Sequence, residues 1–161
     1  MLIDLFAKLD RLIAEENVER RDVGTTEIPR ADIRVVGQMA LIEAAIDLDL
    51  AATQDLDAFL AGDYWIQKRL EQLLAEVGMT FDDTSDLIWM PSETEYIELY
   101  AGRFVRASRA KVEYVLLSKA HKAPRKNAPL IIEYLAKDPS DLFWSLVATY
   151  NVDLQGIVDA E

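Results

Sequence analysis

Two aspartates one residue apart, in Thr53-Gln54-Asp55-Leu56-Asp57, are the side chains of this sequence best suited by type and spacing to do chemistry. Leu56 and Ala58 alternate with Asp55 and Asp57, which predicts a strand over 53–60. Successive strand side chains point to opposite faces, so the two carboxylates share one face and Leu56 takes the other. Like charges that close are either kept apart by water or share a cation, and an all-oxygen ligand set suits Mg2+ or Mn2+. A pair of this kind commonly holds magnesium on a nucleotide triphosphate, where the metal offsets charge on the leaving pyrophosphate and activates the incoming hydroxyl. The same spacing also arises by chance in a chain with 29 acidic residues: Asp47 and Asp49 repeat it eight residues upstream and read as solvated loop.

The elements that must position the pair follow from hydrophobic periodicity. Residues 1–17 read as an amphipathic helix, with Leu2, Leu5, Phe6, Leu9, Leu12 and Ile13 on one side. Residues 18–30 read as a polar loop. Ile33-Arg34-Val35-Val36 is a β-branched run ending at Gly37, hence a strand, and a helix follows over 38–45, with its free N–H groups suited to phosphate. A second helix is expected over 64–77 and stops at Gly78. Phe81, Leu87-Ile88-Trp89-Met90, 95–100 and 104–107 read as short strands, the last three forming a meander. Helices are then expected over 111–122, which Pro124 breaks, over 127–137, and beyond Asp138-Pro139-Ser140, which caps the last one. Trp65, Trp89 and Trp144 sit at core spacing, and Trp89 also borders a potential pocket. The expectation is an α+β fold in a single domain over 1–161: a mixed β-sheet flanked by helices, with the sheet core over about 30–107 and C-terminal helices over about 110–151.

Composition narrows the chemistry further. With no cysteine and one histidine, His121, neither a thiolate nor a poly-histidine metal site can be built. No apolar run approaches the length of a membrane span, and no basic region precedes the first apolar residues, so a cytoplasmic protein without membrane contact is expected. The net charge of −12 argues against general nucleic-acid binding. Residues 103–126 are the exception, with eight Lys and Arg against Glu113 alone. That block is either a dock for a polyanion, RNA included, or a patch paired with acids elsewhere on the same fold. Within it, His121 reads as a surface histidine, with a general base or a phosphate contact as the alternative.

Val35-Val36-Gly37-Gln38-Met39-Ala40-Leu41 followed by Thr53-Gln54-Asp55-Leu56-Asp57 resembles the V-G-G-x-A-L … T-x-D-[IL]-D signature of minimal nucleotidyltransferase-fold proteins, in particular the bacterial abortive-infection and toxin–antitoxin branch. Residues 116–127 resemble that branch's L-x-x-K-x-x-A-x-R-x-K-D segment. The resemblance implies a nucleotidyltransferase-like sheet and transfer of a nucleoside monophosphate from a nucleoside triphosphate to an acceptor. Carried over by position, Asp55 and Asp57 would bind Mg2+ or Mn2+ and be catalytic. Glu98, with Glu95 second, would supply a third metal-binding carboxylate from a later strand. Gly37 and Gln38 would form the phosphate-facing turn, and Lys119 and Arg125 would contact the nucleotide. The chain departs from the pattern at Gln38, where Gly or Ser is usual, at Asn127, where Asp is usual, and in using Glu as the third acid. The resemblance therefore implies either an active nucleotidyltransferase or a catalytically degenerate protein of that fold that binds a partner protein in a toxin–antitoxin or defence pair.

Overall fold

The computed structural model describes residues 1–82 and 87–159. It is an α+β fold with an open, mixed five-stranded sheet and a helical C-terminal part. In chain order the elements are α1 (Leu2–Asp22), β1 (Ala31–Val35), α2 (Gly37–Glu43), β2 (Asp55–Ala61), α3 (Tyr64–Glu76), β3 (Thr80–Asp82), β4 (Tyr96–Ala101), β5 (Val105–Ala110), α4 (Val112–Lys122), α5 (Pro124–Leu135), α6 (Asp141–Thr149) and α7 (Leu154–Asp159).

The sheet order is β3-β2-β1-β5-β4. β1 runs antiparallel to β2 and parallel to β5, β3 runs parallel to β2, and β4 is antiparallel to β5. Ile33, Val35, Leu56, Ala58, Val105 and Ala107 point to one face and are buried. α1 packs against β4, β5 and α3, and α3 packs against β3. The opposite face carries Asp32, Arg34, Asp55, Asp57, Arg106 and Glu98, as the strand registers require. β1 and β5 finish at the same end of the sheet and pass within two residues into α2 and α4, so both helices begin where β2 begins.

Local chemistry explains several boundaries. α1 outruns its expected end because Asn17, though polar, is buried and satisfied: its amide donates to the Ile28 carbonyl at 3.0 Å and its Oδ1 accepts from the Ile28 N–H at 2.6 Å. The same pair of bonds folds residues 23–30 back along the helix. Asp10 Oδ1 accepts from the N–H groups of Phe104 and Val105, tying α1 to the start of β5. Asp63 caps α3 and Ser140 caps α6. Pro124 ends α4 but also opens α5 as its first residue, three positions earlier than the periodicity indicates.

Three expectations are corrected. Leu87-Ile88-Trp89-Met90 is not a strand: the Ser118 hydroxyl donates to the Trp89 carbonyl, and the Trp89 ring packs on His121 and Tyr150, so the segment lies on α4 instead of joining the sheet. The meander reduces to the β4–β5 hairpin. Within that hairpin Tyr100 and Glu98 lie on opposite faces, because the register shifts between them: Glu98 faces Ser108 and Tyr100 faces Ala107. Trp144 is 44% exposed, not a core residue, while Phe143 beside it is fully buried.

Candidate functional site

β2 brings Asp55 and Asp57 to one face of the sheet, with Leu56 fully buried on the other. Its neighbour β3 sets Thr80 opposite Asp55 and Asp82 opposite Asp57. Thr80 Oγ1 donates to Asp55 Oδ1 at 2.6 Å, and Asp82 hydrogen-bonds the Asp57 carboxyl. Three acidic residues from two adjacent strands therefore meet at the end of the sheet where α2 and α4 begin. The Asp57 carboxyl is pushed up to about 7, first by burial, then by its bond to Asp82 and the charges of Asp82 and Asp55, with Lys119 acting in the opposite sense.

Gly37 fits this geometry for a steric reason. It stands between β1 and α2 at φ +64°, and a Cβ there would lie 2.6 Å from Asp57 Oδ2. Only glycine combines that backbone angle with that closeness. The Val36 N–H donates to the Asp57 carbonyl at 2.9 Å, which holds the turn against β2.

Lys119 on α4 and Lys126 on α5 face the carboxylates across a chamber of about 550 Å³, whose wall also includes Gln38, Asp49 and Asn127. Lys119 is mostly buried, and that burial, with the nearby Lys126 charge, lowers its pKa, while Asp57 raises it. Both cations come from the α4–α5 corner, which Asn127 closes: its amide donates to the Lys119 carbonyl at 3.2 Å and to the Ala123 carbonyl at 3.0 Å. Gln38 donates to the Ala51 carbonyl at 3.0 Å, anchoring the loop that leads into β2. Two of the three departures from the expected motif, Gln38 and Asn127, are thus engaged in local positioning.

Glu98 stands apart from this cluster. It lies on β4, with β1 and β5 between it and β2, three strand spacings or on the order of 14 Å from the pair. Its partner is Arg106, 3.8 Å away. Glu95 is paired with Lys111 at 3.2 Å. The carboxylate beside Asp57 is Asp82. Its signal in the sequence is weak, because β3 has only three residues and its alternation is too short to read. Arg125 lines a different cavity with His121 and Asp153, on the far side of the α4–α5 corner. Lys126, absent from the expected contacts, occupies the chamber. The basic block of 103–126 is divided by the fold: Arg106 and Lys111 pair with acids, Arg103 lies over the Phe104 ring, and Lys119 and Lys126 face the carboxylates.

Three aspartates offer only oxygen donors, which fits a hard divalent cation such as Mg2+ or Mn2+. Among the described residues, no three His, Asp or Glu side chains are already gathered at metal-binding spacing. Binding would require the Asp57–Asp82 hydrogen bond to open and the carboxyl groups to turn inward. No helix among the described residues is long and apolar enough to cross a membrane. Compared with protein families, with characterised proteins and with solved structures, the chain has no match.

Proposed function

We propose that this protein is a metal-dependent nucleotidyltransferase that moves a nucleoside monophosphate from a nucleoside triphosphate to an acceptor hydroxyl. One observation carries the reading: Asp55, Asp57 and Asp82 meet on one side of a single chamber, and Lys119 and Lys126 face them from the other. The opposition of carboxylates and ammonium groups suits a triphosphate bound with a divalent cation, whose oxygens need contacts of both signs. The resemblance around Gly37 and Asp55-Leu56-Asp57 points the same way.

In this reading Asp55, Asp57 and Asp82 would hold Mg2+ or Mn2+ once their carboxyl groups turn inward. The metal, when bound, offsets charge on the phosphates and makes the acceptor hydroxyl more acidic. Lys119 and Lys126 draw the triphosphate oxygens into the chamber and offset the charge that grows on the departing pyrophosphate. The acceptor oxygen forms a bond to the α-phosphorus, and the bond from that phosphorus to the bridging oxygen breaks. Pyrophosphate leaves with the electron pair, and the hydroxyl proton passes to a carboxylate oxygen of the site or to water. Gly37 leaves the space beside Asp57 Oδ2 free of any side chain.

The test is thermal unfolding with each of the four common nucleoside triphosphates and Mg2+ or Mn2+. A ligand at 100 times its Kd stabilises by about 2.7 kcal/mol, and Asp55→Asn combined with Asp57→Asn should remove the shift. No stabilisation by any triphosphate with either metal would end this reading.

A further inference from the structure

Behind the charged chamber the site has a second compartment of different character. It is a pocket of about 270 Å³, walled by Ile88, Trp89 and Met90 from the loop before β4 and by Val115 from α4. Asp57, Lys119 and Asn127 line both compartments, so the two open onto each other at the Asp57 carboxylate. The first offers charge of both signs; the second offers mostly apolar wall.

The polar side chains of the apolar compartment are largely engaged. The Ser118 hydroxyl donates to the Trp89 carbonyl. Both amide hydrogens of Asn127 are taken by the carbonyls of Lys119 and Ala123. Lys122 also lines it, beside the shared Asp57 and Lys119, so apart from these charged groups at its edge a ligand there meets apolar surface and shape more than free neutral donors. The loop is held to α4 by the Ser118 bond and by the Trp89 ring, which packs 4.6 Å from His121 and 5.2 Å from Tyr150. The apolar wall is therefore built before any ligand arrives.

A ligand filling both compartments must be charged and phosphate-like at one end and largely apolar at the other, with the change of character at Asp57 and Lys119. Resting on the nucleotidyltransferase reading, we infer that the Ile88–Met90–Val115 pocket receives the base of the nucleotide, and that it selects for purines by size and apolar contact without distinguishing adenine from guanine by hydrogen bonds. The acceptor then enters from the chamber side, past Gln38 and Lys126.

The experiment is a binding series by thermal shift and titration calorimetry in Mg2+ or Mn2+. The ligands are ATP, GTP, CTP, UTP and inorganic tripolyphosphate, and the proteins are the wild type, Ile88→Ser and Met90→Ser. The two variants alter half-buried loop residues, and tripolyphosphate binding reports whether each remains folded with a working chamber. ATP and GTP should bind within about threefold of each other. Tripolyphosphate should bind about tenfold or more weakly than ATP, since contact with a base is worth about 1–3 kcal/mol. Each serine variant should bring ATP down towards tripolyphosphate while leaving tripolyphosphate unchanged. If tripolyphosphate binds as tightly as ATP, or the variants leave ATP binding intact, the base lies elsewhere and the inference fails while the nucleotidyltransferase reading stands. If neither tripolyphosphate nor any nucleotide binds, both fail.

Discussion

Two ends of one sheet face carry the same kinds of residue in opposite arrangements. Towards β4, acids and bases alternate and pair: Asp32 with Arg34 at 3.6 Å, Glu98 with Arg106 at 3.8 Å, and Arg34 over the Tyr96 ring at 4.9 Å. Towards β3, acids face acids, and Asp57 has Asp55 along its strand and Asp82 across from it. The paired end is solvent-screened and balances its own charge, which makes each pair worth little. The acid end concentrates like charge in a partly enclosed place, and among the described residues lining it the cations come from α4 and α5. The arrangement teaches that residue type does not mark a site. Local charge imbalance does, because it is stable only when something else, a proton or a cation, completes it.

The sharpest way to break this comparison is to remove one charge from each end. On the proposed function, Asp57→Asn should lower nucleotidyl transfer by about 100-fold or more, because Asp57 is one of the proposed metal ligands. Glu98→Gln should change it by less than about twofold, given its place three strand spacings or on the order of 14 Å from the pair. Assaying pyrophosphate release from both variants decides the matter: equal losses, or a larger loss at Glu98, would overturn the assignment of the acid end as the active one.

Gly37 provides the next largest effect. Gly37→Ala forces a Cβ to within 2.6 Å of Asp57 Oδ2 at φ +64°. It should cost about 1–3 kcal/mol in chemical denaturation. Gly24, also at positive φ but with open space around it, should lose less on the same change. A similar cost at both positions would mean that backbone strain alone, and not closeness to Asp57, makes Gly37 matter.

Proton linkage gives a third test. The folded Asp57 carboxyl titrates near 7, against 3.8 for an ordinary aspartate. Below about pH 4 both folded and unfolded chains hold that proton. Between about 4 and 7 only the folded chain does, so this group's contribution to stability falls as pH rises through that window and stays low above it. For a half-exposed group, screening reduces the effect to about 1–2 kcal/mol. Asp57→Asn should therefore be more stable than the wild type at pH 8 in the absence of divalent ions, and equal to it near pH 4. Urea denaturation at the two pH values reads this directly. Stabilisation that is the same at both would show that charge is not its cause. The smallest effect is expected at the paired end, where Glu98→Gln should shift stability by less than about 0.5 kcal/mol at any pH above 5.

Much of the scaffold was legible. The alternation of Asp55-Leu56-Asp57-Ala58 placed β2, the run ending at Gly37 placed β1, and the 3.6-residue spacing of Ile66, Leu70, Leu73 and Leu74 placed α3, because each pattern is long enough to repeat. The short elements were harder. Residues 87–90 have strand-like composition, but the Ser118 hydroxyl from α4 takes the Trp89 carbonyl, and no local pattern announces a partner 29 residues away. α7, near the C-terminus, lacks enough turns to display a period.

What the sequence determined by itself is the chemistry available: two aspartates on one strand face, a glycine at the end of the preceding strand, a lysine-rich corner, and no thiolate ligand. Those are properties of residue type and near neighbours. What only the tertiary structure decided is which groups meet. Strand order placed Asp82, not Glu98, beside Asp57, and the α4–α5 corner turned Lys126 towards the carboxylates and Arg125 away from them. Pairing between strands and the packing of helices act over separations that no periodicity encodes, so a third carboxylate can be foreseen as a need before its position in the chain can be known.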